Sequence, residues 1–292
     1  DSFYKIFPKI ILFLVFVLLF LQNFDKKTLN ALTLCIPLLF IEKYKINKMI
    51  SILFFFILNY LIIISYSKAS LLAIIIFIII YTLFYSLKNM SKKIFFFLVT
   101  TLSCLLIPAI WWLDTIQYET NLIETNLSFA PTYLIDLHRQ IIWRGSLLLS
   151  DLSPWVGHGI NASNYHTLAL MPVNQVFHDM PFKHPVYDYI SLIPGHPHNW
   201  ILEFLLDTGL IGLIPILALV STIFITIIKH LYKTQHPALL ALLAIQGIYW
   251  GTGLFNFSFW NVWWQVSYFL YSSIAFSLYL HGRKAYENVK TP

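Results

Sequence analysis

Charge is scarce in this sequence. Asp, Glu, Lys and Arg make up 11% of 292 residues, where a soluble domain carries roughly 25%. That deficit excludes an ordinary water-soluble globule. Cysteine is scarcer still: Cys35 and Cys104 both sit inside apolar runs, which excludes a disulfide framework and suits small core side chains. No HExxH, CxxC or GxSxG spacing occurs, so the sequence signals of zinc and serine-hydrolase chemistry are missing. There is no internal repeat and no low-complexity linker. No signal peptide is visible in these residues, because the apolar run after Lys5 and Lys9 has no small-residue cleavage site behind it. The chain begins at Asp1, and the expectation is a fragment that lacks its natural N-terminus.

What the sequence has in abundance is apolar length. Hydrophobic residues make up 58% of it, and stretches of about 18 or more read as transmembrane helices. Eight segments are expected, near 6–21, 29–41, 49–66, 69–87, 94–113, 199–228, 237–256 and 259–280. The expected fold is an all-α polytopic integral membrane protein. Helices 1–5 lie within 1–113, a large polar loop spans 114–198, and helices 6–8 with a tail occupy 199–292. Thirteen Lys and Arg lie on one set of ends and six on the other. The positive-inside rule then makes both termini cytoplasmic and the large loop outward-facing. The formal charge of +6 is therefore mostly an orientation signal, and nucleic acid is not an expected partner.

The loop differs in kind from the rest. It holds seven acidic residues, three basic ones and seven of the ten histidines. One piece, 133–151, has a helical pattern. Leu134, Leu137, Ile141 and Leu148 fall near one face, and Asp136, Arg139 and Trp143 fall on another. It reads as an amphipathic helix in the outer interface.

Several stretches can carry chemistry. In "GHPHNWILEFLLDTGLIG", 195–212, Pro197 biases His196 toward extended backbone, and a helix starts near His198 or Asn199. A neutral imidazole at a helix N-terminus can act as a general base, and the same end favours an anion. The competing reading is that His198 and Asn199 only cap the helix. Glu203 lies one turn in and needs a partner or a watery cavity. Pro215 is expected to kink the helix. Arg139 and Trp143 are one turn apart. An arginine fork suits pyrophosphate, but it also suits snorkelling or pairing with Asp136. Arg144 reads as a lipid-facing anchor. Lys68, at an outer helix start in "SYSKASLLA", binds a lipid phosphate or snorkels. Gly157 and Gly159, in "SPWVGHGINASNY", allow a tight turn or a close approach to a ligand. His196 and His198 with His178, His184, Asp179 or Asp188 make a weak metal candidate, and no metal or other cofactor is expected.

The pattern His198-Asn199-x9-Gly209-x-x-Gly212 resembles the signature of the O-antigen ligase and polymerase superfamily, polytopic glycosyltransferases of the GT-C type. "RQIIW" (139–143), "SPWVGHGINASNY" and "SKASLLA" are similar to further segments of that family, in the same order, with Lys68 where arginine is usual. The resemblance implies a GT-C-like fold. It also implies metal-independent, inverting transfer of a glycan from undecaprenyl pyrophosphate to an acceptor hydroxyl, on the periplasmic face of the bacterial inner membrane. The nearest variant is O-antigen ligation to lipid A-core. The alternatives are an O-antigen polymerase, a protein O-oligosaccharyltransferase and, in a different class, a flippase of the lipid-linked glycan. The resemblance implies catalytic roles for His198 and Arg139, and substrate-binding roles for Lys68, Asn199, Trp143, Gly157, Gly159 and His196. The implied partners are the undecaprenyl-pyrophosphate-linked glycan, lipid A-core and membrane lipid.

Overall fold

The computed structural model describes residues 26–41, 55–58, 60, 67–87, 137–177 and 185–290. The expected spans near 6–21 and 94–113 lie outside the described residues, as do most of 49–66, Cys104, Leu134, Asp136, His178, Asp179 and His184. The described helices are α1 (Lys26–Thr33), α2 (Ile36–Leu39), α3 (Lys68–Leu87), α4 (Leu137–Asp151), α5 (Thr167–Leu170), α6 (Val173–Val176), α7 (Trp200–Thr234), α8 (Pro237–Gly253) and α9 (Val262–Lys290). Extended structure among the described residues amounts to one bridge, Pro172 to Ser191. The chain divides into two compact units. Unit 1 takes Asp1–Lys88, Val220–Phe255 and Asn261–Pro292, and unit 2 takes Asn89–Leu219 and Asn256–Trp260.

In unit 1 the segment expected as one span near 29–41 is two short helices. A turn at Leu34 and Cys35 separates them, and Pro37 opens the second. Proline suits a first helical turn because its missing N–H would have no partner there. In α3, Ala69, Ser70, Ala73, Ile74 and Phe77 form the buried face, while Leu71, Ile75, Ile78 and Leu83 are exposed. Ser67 precedes it and is buried with Ser70 and Asn30. Its hydroxyl donates to Asn30 Oδ1 at 3.2 Å, and Ser70 donates to the same atom. Helix α8 is apolar on all sides and is buried accordingly. A Cβ at Gly247 or Gly251 would lie 2.5 Å from Ile80 Cδ1 or 2.7 Å from Ile76 Cδ1. This is the small-residue spacing that lets membrane helices approach closely. Tyr268 of α9 stacks on Tyr249 at 4.0 Å, and its hydroxyl donates to Gln246 Oε1 at 2.6 Å.

Two described helices are long and apolar enough to cross a membrane: α3, over Ala69–Ser86 with mean hydropathy 2.4, and α7, with 2.6. Helix α8, at 17 residues, is shorter.

Unit 2 is built around α4. The sequence pattern opposes Ile141 and Trp143, but both are buried in one core with Ile142, Leu149, Leu192, Ile193 and Leu206. The helix is therefore embedded on most of its circumference rather than laid on an interface by one face. Ser146 and Ser150 sit inside this core and donate to the carbonyls of Ile142 and Ser146, each at 2.8 Å. Gly145 admits Leu192, whose Cγ would lie 2.6 Å from an added Cβ. Arg144, expected as a lipid anchor, lies instead over the ring of Phe177 at 4.9 Å, a cation–π contact.

Helix α7 is interrupted at Gly209 (φ 62, ψ −165), not at Pro215. A straight helix would bond Leu210 N–H to Leu206 C=O and Ile211 N–H to Asp207 C=O. Here Leu210 donates to Pro154 C=O at 2.9 Å and Ile211 to Trp155 C=O at 3.1 Å. The two released carbonyls accept from His158 and Gly159, both at 2.9 Å. The 154–159 turn is thus spliced into the break, and it satisfies four backbone groups that would be costly to leave bare. Gly157 (φ 67) makes this possible, since a Cβ there would lie 2.5 Å from Asp207 C.

Candidate active site

The opening of α7 is set by Asn199, whose Oδ1 accepts from the N–H groups of Ile201 at 2.9 Å and Leu202 at 3.3 Å. It is the N-cap, so the helix begins at Trp200, two residues after His198. His198 sits just outside it with φ 55. Asn199 thereby answers two of the N–H groups that the sequence reading offered to an anion.

The strand of chain that carries the histidines is pinned at each residue. Ser163 Oγ donates to Gly195 C=O at 2.8 Å. Trp143 Nε1 donates to Pro197 C=O at 2.9 Å. The two imidazoles meet at Asn256. His198 Nδ1 lies 2.9 Å and His196 Nε2 3.2 Å from the Asn256 carbonyl oxygen. A carbonyl only accepts, so each of these nitrogens carries its proton. In a neutral ring that makes Nε2 of His198 and Nδ1 of His196 the basic atoms. The ring centroids are 4.1 Å apart. Burial, followed by His198 and the Arg139 charge, pulls His196 down to about 4, so it stays neutral near pH 7. Arg139 Nη2 donates to Asn256 Oδ1 at 3.5 Å. One asparagine therefore joins the cation to both histidines.

Asn256 is itself positioned from α7. Glu203, 2% exposed, accepts from Ser258 Oγ through Oε1 and from Phe259 N–H through Oε2, each at 2.6 Å. Asp207, equally buried, accepts from the N–H groups of Asn161 at 2.9 Å and Ala162 at 3.1 Å, and from Trp260 Nε1 at 2.8 Å. Buried carboxylates with this many donors are satisfied. They tie the 161–162 and 256–260 turns to the helix that follows His198. Sequence reading did not find Asn256. The only hint is a pair of polar residues, Asn256 and Ser258, set among aromatics in "FNFSFW".

The other site residues are placed as follows. Trp143 is buried behind Pro197. Gly157 and Gly159 approach α7 backbone and the Tyr165 hydroxyl. Lys68 is the first residue of α3 in unit 1, and its side chain lies outside the described residues. Two more loop histidines have structural partners. His158 Nε2 donates to Leu149 C=O at 2.7 Å, and His166 Nδ1 caps α5 by accepting from Leu168 N–H at 3.2 Å. Burial, then His158, holds His166 below the usual histidine range.

Comparison with known families matches residues 52–217 to the family described as O-antigen ligase. The chain belongs to the O-antigen ligase family. The match takes in Lys68, Arg139 and the His196–Asn199 stretch, and ends before Asn256. A Rickettsia felis protein named "Putative polysaccharide ligase" is 28% identical over 218 residues, covering 73% of this chain and 48% of the relative. A Rickettsia prowazekii protein, also named for polysaccharide ligation, is 29% identical over 239 residues, covering 80% and 52%. The chain spans about half the length of these curated relatives. No solved structure gives a significant match. The O-antigen ligase family is membrane-integral, and α3 and α7 supply spans of suitable length and apolarity.

Proposed function

We propose that this chain moves a glycan from undecaprenyl pyrophosphate to an acceptor hydroxyl at the periplasmic face of the bacterial inner membrane. The acceptor is lipid A-core, which makes the step O-antigen ligation in lipopolysaccharide biosynthesis. The architecture assigned to it is GT-C-like with about eight spans, and the transfer is inverting and needs no metal. The observation that carries the reading is the convergence of His198 and Arg139 on Asn256, in a chain of this family.

The chemistry follows from that geometry. Nε2 of His198 takes the acceptor O–H proton as the oxygen bonds to the anomeric carbon. The bond from that carbon to the pyrophosphate oxygen breaks, and the pyrophosphate leaves with the electron pair. The Arg139 guanidinium stabilises the charge that develops there. Lys68 is assigned a second cationic contact, as a point charge without the arginine fork. His196, neutral beside His198, presents Nδ1 as an acceptor for a sugar hydroxyl. Asn199, Trp143, Gly157 and Gly159 shape the site by holding the backbone around these groups.

The test is a transfer assay in membranes with the lipid-linked glycan and purified lipid A-core, comparing the parent protein with His198→Ala and Arg139→Ala at matched expression. Glycan on lipid A-core, lost in both variants, supports the reading. Longer lipid-linked chains with none on the core would show a polymerase. Unchanged transfer by His198→Ala would remove the base mechanism.

A further inference from the structure

We propose that the 152–160 turn of unit 2 is a membrane anchor that seats Trp155 and Val156 in outer-leaflet phospholipid at the edge of the hydrocarbon.

Four large apolar side chains in nine residues face outward: Leu152, Trp155, Val156 and Ile160, each 61–65% exposed. Single exposed apolar residues are ordinary, but a cluster marks an interaction surface. The fold does not need these side chains to shape the turn. Its path is set by main-chain bonds to α7 and by Ser153 Oγ, which donates to Gly157 C=O at 2.9 Å.

Depth comes from α7. Between Asp207 and Lys229 the sequence has no charged residue. Past the break, Leu210–Ile228 is about 28 Å long at 1.5 Å per residue, close to a hydrocarbon core of roughly 30 Å. Its outer end abuts the break at Gly209, where the turn is spliced in. Trp155 C=O accepts from Ile211 N–H, and Ile211 and Ile214 are themselves 62% and 58% exposed. The turn therefore continues the apolar surface of the span at the level where tryptophan is enriched in membrane proteins. A soluble protein partner would have to share that surface with the lipid already required around Ile211 and Ile214.

The experiment uses the full chain in phospholipid nanodiscs, with Cys35 and Cys104 replaced by alanine and a nitroxide placed at Val156→Cys. The same label at Ile214→Cys reports lipid, and at the exposed polar position Asn164→Cys it reports water. Power saturation with oxygen and with a water-soluble nickel chelate is expected to give Val156 a ratio like that of Ile214, several-fold above Asn164. A Val156 ratio matching Asn164 overturns the proposal. In the native-cysteine background, brominated lipid is expected to quench an emission component that Trp155→Phe removes, and an unchanged quenched fraction also overturns it. Neither readout uses glycan transfer, so the anchor and the enzymatic reading fail separately.

Discussion

His198 and Asn256, 58 residues apart, are joined by a 2.9 Å hydrogen bond from the ring Nδ1 to the main-chain carbonyl. The acceptor is backbone, so the contact survives any side chain at 256 and fixes which ring nitrogen is basic.

His198→Asn separates this anchoring from catalysis. Asparagine tolerates the left-handed φ of 55, and its amide can still donate to Asn256. Transfer is expected to fall by about 10²–10⁴, the usual contribution of a positioned base, with little change in thermal midpoint. A variant that keeps its rate would show that the imidazole only anchors.

Glu203→Gln tests the hold on the Asn256 turn. The carboxylate accepts from two donors, whereas the amide offers one acceptor and turns an N–H₂ toward the other. The expected loss is about 1–3 kcal/mol of stability, read as a lower thermal midpoint, with a slower transfer rate because the Asn256 carbonyl that holds both histidines is released. Ser258→Ala removes one of the two bonds and should lie between wild type and Glu203→Gln in both measurements.

His196 predicts an acid limit to stability. Its folded value is about 4, against about 6.5 in an unfolded chain. Between these values the unfolded state binds more protons, so stability rises with pH. The contribution is complete above about 6.5 and is lost progressively as pH falls toward 4, by an amount on the order of 3 kcal/mol. Replacing His196 with Asn should flatten the pH dependence of the thermal midpoint in that window. An unchanged slope would place the acid sensitivity elsewhere.

Two glycines with positive φ should respond differently to alanine. Gly195 (φ 89) has nothing within 4 Å of an added Cβ, so Gly195→Ala should cost only the backbone strain of roughly 1–2 kcal/mol. Gly157 (φ 67) would drive its Cβ to 2.5 Å from the Asp207 and Thr208 backbone. Gly157→Ala should lower the thermal midpoint much further, or abolish folded protein on size exclusion. Equal losses would mean that the spliced turn can shift at little cost.

The sequence showed the parts of the site that lie close together along the chain. Pro197 and Asn199 announced the start of α7, and the long uncharged run after Asp207 announced a span. The break at Gly209 was hidden because glycine spacing does not reveal a φ, and because the proline at 215 offered a more obvious kink that the structure does not use. Trp143 read as a residue opposite Ile141 because helical spacing assumes one buried face, whereas α4 is enclosed on most sides. Asn256 was out of reach for a further reason. It meets the histidines through its main-chain carbonyl and Arg139 through its side chain, and its turn is held by contacts of Ser258 and Phe259 to Glu203, which no local pattern encodes.

The splice at Gly209 also bears on how the protein is made. The 154–159 turn precedes α7 in the chain and is synthesised first. Until that turn docks, the carbonyls of Leu206 and Asp207 and the N–H groups of Leu210 and Ile211 have no partners at the break. Bare backbone groups at the lipid edge are expensive. Adoption of the kinked form of α7 is therefore coupled to docking of the 154–159 turn, and the same assembly step sets the helix that follows His198.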